Sequence, residues 1–145
     1  MPSDKLAQLY DKNILEHSIR PRNNELLSNE THSGNSVNPF CGDEVKIQLL
    51  VKNGIISKVG IQTVGCKINI AASSLLSETI INKQITHLSK LQNKFIDYIN
   101  SNITENNCLE LGELLKLSQV KHFPIRIKCA LLSWSALDDA IQENP

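Results

Sequence analysis

The chain has 145 residues and a mass of 16.2 kDa, a size typical of one domain with its own hydrophobic core. Fifteen basic residues balance fifteen acidic ones, so no charge excess favours nucleic acid or an anionic membrane surface as a partner. Apolar runs are only a few residues long, which argues against a membrane-spanning helix. The N-terminus lacks a secretory signal pattern, and we expect a single domain over 1–145 in the cytoplasm.

The first forty residues predict one helix followed by irregular chain. Apolar residues recur every three or four positions from Ser3 to His17, and Ser3 is a suitable N-terminal cap. The segment 20–40 contains prolines, a glycine and repeated asparagines, so we expect it to be irregular and to lie on the surface. A short edge strand could form there near Leu26–Leu27.

A β-hairpin is predicted next. The runs 44–52 and 55–63 both alternate apolar and polar residues and are separated by Asn53–Gly54. A two-residue loop would set the apolar face of one strand beside the polar face of the other. A three-residue loop keeps the apolar faces together and pairs Val51 with Ile55, so we predict that register.

The second half of the chain is predicted to be helical, because its apolar residues recur every three or four positions. The predicted helices begin at Asn69 and cover Thr86–Asn100, about Leu109–Leu117 and Pro124–Gln142. The fold class is therefore α+β, with a small antiparallel sheet of about three strands packed on one face by helices.

Two cysteines flank the predicted hairpin. Cys41 precedes its first strand and Cys66 follows its second, and the predicted register places Cys41 opposite Gly65, with strands roughly 4.8 Å apart. A metal ion with bonds of roughly 2.3 Å to sulfur can bridge two such thiols. Asp43 is two residues from Cys41, hence on the same side of an extended chain, and can supply a carboxylate ligand.

The surroundings of Cys66 and Cys129 favour thiolates. Cys66 stands just before a predicted helix, whose positive end stabilises a negative charge. Cys129 lies beside Lys128 and three residues after Arg126, although the 62 residues between it and Cys66 prevent its placement by spacing. Together with Cys41 and Asp43 these cysteines form a candidate tetrahedral site, rich enough in sulfur for zinc or an iron–sulfur centre.

Simpler interpretations of these residues remain open. Cys129 falls on the apolar stripe of its helix and could be an ordinary core residue. The segment from Cys41 to Asp43 could be a turn without chemistry. Cys108 lies in a polar loop and is given no role. None of the four histidines has a metal-ligand spacing to another, so we expect surface or packing roles for them.

These residues resemble those of the U-type iron–sulfur assembly proteins, namely IscU, SufU and the N-terminal part of NifU. The resemblance spans nearly the whole chain. It rests on Leu9–Tyr10, His17, Pro21–Asn23, Asn38–Asp43, Gly65–Cys66, Pro124–Cys129 and Trp134. It implies a small antiparallel sheet covered by helices, and a cofactor and metal site made of Cys41, Asp43, Cys66 and Cys129.

Within this family the chain looks most like the SufU branch. Lys128 stands where IscU carries a histidine, and His122–Arg126 replaces the segment by which IscU engages its chaperone. The stretch between Cys66 and Cys129 is also longer than in IscU. One departure is that Lys67 and Asn69 follow Cys66, where family members usually carry small residues.

The SufU resemblance implies a tightly held Zn²⁺ and the acceptance of persulfide sulfur from a SufS-like cysteine desulfurase. Cys41 is the expected acceptor, and we hypothesise that Arg126 stabilises its freed thiolate. The IscU resemblance implies instead a scaffold that binds iron and builds a [2Fe–2S] cluster. Downstream apo-proteins or cluster carriers are further expected partners.

Two functions of other classes are alternatives to sulfur acceptance and cluster assembly. A zinc-stabilised interaction module would use the same four ligands without sulfur chemistry, and would unfold equally on loss of Cys41 or Cys66. A thiol redox enzyme is disfavoured because the chain has no Cys-x-x-Cys motif.

Overall fold

The computed structural model describes residues 8–143. Three strands form one antiparallel sheet in the order β1-β2-β3, and helices pack on one face of it, which confirms the predicted α+β class. The strands are β1 (His32–Val37), β2 (Glu44–Lys52) and β3 (Ile55–Val64), and the α-helices are α1 (Lys12–Ile19), α2 (Lys67–Ile80), α3 (Leu88–Ile99) and α4 (Pro124–Glu143).

The predicted helix from Ser3 to His17 is only partly correct. Gln8 and Leu9 are helical, but the chain turns at Tyr10 and a new helix begins at Lys12. Asp11 caps this helix, since its side chain accepts a hydrogen bond of 3.0 Å from the backbone N–H of Ile14. The predicted cap, Ser3, lies outside the described residues.

The edge strand is β1, and the suggested position at Leu26–Leu27 is wrong. β1 runs along β2, from His32 opposite Leu49 to Val37 opposite Glu44. Its sequence is mostly polar, so hydrophobic alternation could not reveal it. Gly34 lets α4 lie directly on this strand, because a Cβ there would stand 2.9 Å from the Cα of Ala140.

The irregular segment before β1 covers the sheet face away from the helices. The backbone N–H of Leu27 donates a hydrogen bond of 2.7 Å to the side-chain oxygen of Gln48, and a Cβ on Gly60 would meet the Cα of Leu26 at 3.2 Å. Gln48 and Gly60 are register partners, so they point to the same face.

The predicted register of the hairpin is wrong. The loop has two residues, Asn53 and Gly54, both with positive φ (54° and 77°), as a type I′ turn requires. The turn pairs Lys52 with Ile55, and a β-bulge at Leu50/Val51 then shifts the register. This shift of one residue brings the apolar faces of the two strands back into phase, with Ile47 opposite Ile61.

The bulge determines which residues face each other across the two strands at the open end of the hairpin. The last pair is Glu44 with Val64. Continued by one residue, this register sets Asp43 against Gly65, where Cys41 was expected.

Helices form where predicted, with shifted boundaries. α2 begins at Lys67, two residues before Asn69, and α3 is preceded by a short 3₁₀ turn at Ile85–His87. The predicted helix at Leu109–Leu117 is a 3₁₀ helix that continues to His122 and is kinked at Gly112 (φ 52°, ψ −118°). A short 3₁₀ turn, Glu105–Asn107, lies between the helices predicted at Thr86–Asn100 and Leu109–Leu117.

The core lies between the sheet and the helices. Trp134 is 1% exposed and its ring centroid lies 6.0 Å from that of Phe95. Within residues 8–143, no helix combines the length and the apolar character needed to cross a membrane.

Candidate metal centre

Three of the four predicted ligands converge at one end of the sheet. Asp43, Cys66 and Cys129 each offer a ligand atom, and these atoms all lie within 4.8 Å of one another. Asp43 is 8% and Cys129 5% exposed. The three come from the segment before β2, the start of α2 and the first turns of α4, so the cluster depends on the tertiary fold.

Asp43 is held as an anion at the base of the cluster. Its Oδ2 accepts hydrogen bonds from the backbone N–H of Cys66 (3.3 Å) and from the Asn69 side-chain amide (3.2 Å). Burial raises the pKa of Asp43, but these bonds and those from the thiols of Cys41 and Cys66 hold it below its usual range. The carboxylate is therefore ready to bind a cation at neutral pH.

Cys66 is the N-terminal cap of α2. Its Sγ accepts a hydrogen bond of 3.4 Å from the backbone N–H of Asn69, and its φ and ψ are extended. The prediction that this cysteine stands at a helix N-terminus is confirmed.

The expectation that Arg126 and Lys128 would lower the pKa of Cys129 is wrong for the metal-free protein. Burial, followed by the nearby Cys66, raises the pKa of Cys129 to about 11, and a hydrogen bond from Arg126 offsets only part of this rise. Metal binding deprotonates a coordinating thiol, so a bound cation would reverse this preference.

Cys41 differs from the other three residues because it is exposed. The chain around it is a turn closed by two backbone hydrogen bonds of 2.8 Å, from Gly42 to Asn38 and from Asn38 to Asp43. Gly42 permits this turn with φ +75°. The chain between Cys41 and Asp43 is therefore a turn and not extended, with Asp43 at its base. The Cys41 thiol still lies within hydrogen-bonding reach of the Asp43 carboxylate, so the two side chains share one side as predicted.

A cleft of about 550 Å³ nevertheless contains all four residues in its lining. Two exposed apolar side chains, Phe40 (91% exposed) and Ile125 (80%), also line it. Two positively charged side chains, those of Arg126 and Lys128, also line the cleft. Arg126 donates a hydrogen bond to Cys129, and Lys128 has its Nζ 6.0 Å from the ring centroid of Phe40.

The donor chemistry of the cleft fits zinc or iron. Two thiols and a carboxylate are already gathered, and the Cys41 thiol, a third, lines the same cleft. Sulfur-rich sets select Zn²⁺ or iron–sulfur centres over the oxygen-seeking Mg²⁺ and Ca²⁺.

The remaining candidates lie elsewhere. Cys108 is buried, its Sγ donates to the backbone oxygen of Thr104 (3.2 Å), and burial raises the pKa of this thiol. His17 is also buried and its Nδ1 lies 2.7 Å from Ser74 Oγ, in agreement with its expected packing role. A second group of possible metal ligands consists of His17, Glu78 and Glu113, where α1 and α2 meet the 3₁₀ helix Leu109–His122.

Sequence reasoning missed the contact between Asn69 and Asp43. In the sequence, Asn69 stands out only as a departure from the family pattern. Its spacing of three residues from Cys66 was the available signal, because residues three apart share a helix face.

The chain is similar to known proteins over nearly its whole length. Residues 9–144 match the family described as the NifU-like N terminal domain. The zinc-dependent sulfurtransferase SufU of Bacillus subtilis strain 168 is 31% identical over 139 residues, 96% of this chain and 93% of that protein. The iron-sulfur cluster assembly scaffold protein IscU of Streptococcus pyogenes serotype M1 is 32% identical over 145 residues, 99% of this chain and 89% of that protein.

The fold is likewise similar to a solved structure. The crystal structure of FiSufU from the thermophile Fervidobacterium islandicum AW-1 has a TM-score of 0.82 and 27% identity, and the match covers 91% of this chain and 96% of that one. The chain therefore belongs to the NifU-like N-terminal domain family, as its resemblance to the U-type assembly proteins predicts.

Proposed function

We propose that this protein acts in iron–sulfur cluster assembly as a zinc-dependent acceptor of persulfide sulfur from a cysteine desulfurase, with Cys41 as the acceptor. One observation carries the proposal: Cys41 is exposed, whereas Asp43, Cys66 and Cys129 are gathered at the base of the same cleft. Three residues are placed to hold a metal while the fourth is free to react. The name of the Bacillus subtilis relative supports the same assignment.

The transfer itself needs no external oxidant. The thiolate of Cys41 attacks the terminal sulfur of the desulfurase persulfide, a new S–S bond forms on Cys41, and the S–S bond of the donor breaks. The donor cysteine leaves as a thiolate, so the number of persulfides is unchanged. Exposure of Cys41 is required, because the donor sulfur must approach along the line of the breaking bond.

The residues at the base of the cleft keep the site in order. Zn²⁺, when bound, supplies positive charge that keeps its thiol ligands deprotonated. Asp43, Cys66 and Cys129 would hold it, with Cys41 able to complete a tetrahedral set. Arg126 donates a hydrogen bond to Cys129 and lines the cleft with Cys41, so it is placed to stabilise a thiolate released there.

The rim of the cleft is suited to a protein partner. Phe40 and Ile125 expose apolar surface beside Cys41, and Lys128 adds a positive charge next to Phe40. Exposed aromatic and aliphatic side chains at the edge of a reactive cleft are typical anchors for docking. We assign this rim to the desulfurase.

A second candidate is a cluster scaffold, in which iron and sulfide are cargo assembled on the same cysteines. The Streptococcus pyogenes relative, an IscU protein, favours it. Elemental analysis of protein purified anaerobically without added metal separates the two. Zinc close to one per chain without acid-labile sulfide supports sulfur acceptance, and iron with matching sulfide supports the scaffold.

The decisive experiment follows sulfur onto one residue. The protein is incubated with a SufS-type desulfurase and cysteine, and mass spectrometry locates the added sulfur atom. We expect it on Cys41 in the unchanged protein and in Cys108→Ala, a control that removes a thiol away from the cleft, and we expect none in Cys41→Ser.

Folding is monitored for Cys41→Ser and Cys66→Ser by circular dichroism and zinc content. The proposal requires Cys41→Ser to keep its fold while it loses sulfur acceptance. Equal unfolding of both variants would instead identify a zinc-stabilised interaction module.

A further inference from the structure

The structure assigns a role to Asn69 that the sulfur chemistry alone does not require. We propose that Asn69 is a positioning residue that fixes the orientation of the Asp43 carboxylate, so that Asp43 offers the metal one oxygen. The inference rests on the proposed function, because it concerns the same metal.

Asn69 lies at a place where an amide side chain is costly. It is 0% exposed, and its Oδ1 has no hydrogen-bond partner among residues 8–143. A buried polar atom without a partner lowers stability. The other half of the same amide is in use, since Nδ2 donates to Asp43 Oδ2 at 3.2 Å.

Both nitrogen donors to Asp43 come from α2 and its cap. The backbone N–H of Cys66 reaches Oδ2 at 3.3 Å, and Asn69 reaches the same oxygen from the first turn of the helix. Asp43 is thereby fixed relative to the Cys66 thiol, whose Sγ accepts from the backbone N–H of Asn69. Asn69 thus contacts two candidate ligands at once.

The two bonds distinguish the two oxygens of the carboxylate. Oδ2 accepts both nitrogen donors, and Oδ1 accepts neither. Oδ1 is therefore the oxygen open to a cation once metal binding removes the protons of the Cys41 and Cys66 thiols, which also bond this carboxylate. Hydrogen-bonded carboxylates of this kind are ordered before the metal arrives, and loss of such a supporting partner typically costs a metal site about 10–100-fold in affinity.

The test uses Asn69→Ala with a matched control. Ser73→Ala removes a side chain that is equally buried in the same helix, about one turn on, where it accepts a hydrogen bond of 2.8 Å from Thr63 rather than from the site. Metal-depleted, reduced protein is titrated with Zn²⁺ in competition with a chelator, and with Co²⁺, whose visible absorption reports the ligand field.

We expect Asn69→Ala to weaken zinc binding by about 10–100-fold and to alter the Co²⁺ bands, while Ser73→Ala leaves both unchanged. In an Asp43→Ala background, Asn69→Ala should cause no further loss, because it acts through Asp43. Asn69→Ser, which replaces the amide by a shorter side chain with a hydroxyl, is the second variant if Asn69→Ala does not fold.

An unchanged zinc affinity and Co²⁺ spectrum in the folded variant would overturn the inference. So would an equal further loss in the Asp43→Ala background, which would show a purely structural effect. The proposed function fails separately: unchanged protein that binds zinc but accepts no sulfur on Cys41 refutes sulfur acceptance and leaves the role of Asn69 intact.

Discussion

Gly65→Ala should damage the candidate metal site through a steric clash added to backbone strain at its φ of +159°. Gly65 adjoins Cys66, and a Cβ there would stand 2.6 Å from Oδ2 and 2.7 Å from Oδ1 of Asp43. Ordinary van der Waals contact begins at 3.4 Å and the Cγ of Asp43 is closer to this Cβ than either oxygen, so the carboxylate must move by about 1 Å. No thiol is changed, which makes the substitution a selective probe of Asp43.

The size of the effect follows from the hydrogen bonds that this movement stretches. Oδ2 lies 3.3 Å from the Cys66 nitrogen and 3.2 Å from the Asn69 amide, so displacement away from α2 takes both distances beyond hydrogen-bonding range. Overpacking of this kind costs about 1–3 kcal/mol of stability. Loss of an ordered ligand should also weaken zinc binding by about 10–100-fold.

Urea unfolding of the metal-free protein and chelator competition for zinc measure the two effects. Gly54→Ala is the control, because its φ of +77° gives backbone strain while its Cβ would meet nothing within 4 Å. That variant should lose about 1–2 kcal/mol of stability and keep its zinc affinity. If Gly65→Ala keeps both the stability and the zinc affinity of the unchanged protein, the placement of Asp43 is wrong.

Three further predictions concern the fold and the rim. Burial, followed by the charge of Arg22, lowers the pKa of His17. The unfolded chain therefore binds more protons, and the free energy of unfolding should fall as pH drops through about 6.5. Urea unfolding at about pH 7.5 and 5.5 should show a smaller loss of stability for His17→Gln than for the unchanged protein. Gly34→Ala should destabilise the protein by about 1–3 kcal/mol, because its Cβ would meet the α4 backbone at Ala136 and Ala140; a thermal midpoint equal to that of the unchanged protein would contradict this packing. Phe40→Asp should raise the desulfurase concentration needed for half-maximal sulfur transfer without changing zinc content, since Phe40 is 91% exposed; an unchanged concentration dependence would remove Phe40 from the docking surface.

Local patterns predicted those elements whose residues carry a periodic signal. β2 and α4 begin where alternation and a first-turn proline indicate. β1 gave no such signal, because its mostly polar sequence is held by pairing with β2 and by the close approach of α4 at Gly34. The bulge near Val51 was equally hidden, since it reconciles a two-residue turn with in-phase apolar faces, which strict alternation treats as incompatible.

The same limit explains the candidate site. The sequence identifies the four residues by type and by their resemblance to a family, but their arrangement depends on the bulge and on the turn at Gly42. The bulge sets Asp43 beside Gly65, and the turn leaves Cys41 exposed above the buried Asp43 carboxylate. One ligand of the predicted set is thereby left at the surface while the others are drawn to the base of the cleft.

The difference in exposure between Cys41 and the other three residues gives physical grounds for different roles within the site. A fully buried set of four ligands would favour a closed structural site, whereas an exposed ligand on a short turn can leave the metal without unfolding the protein. The buried candidate ligands Asp43 and Cys129 are tied to the rest of the fold through Asn69 and Arg126. Cys41 lies on a turn closed by two backbone hydrogen bonds and by one from the Phe40 N–H to Asn38 Oδ1, none of which uses the Cys41 side chain. Substitution of Cys41 should therefore abolish sulfur acceptance before it unfolds the protein.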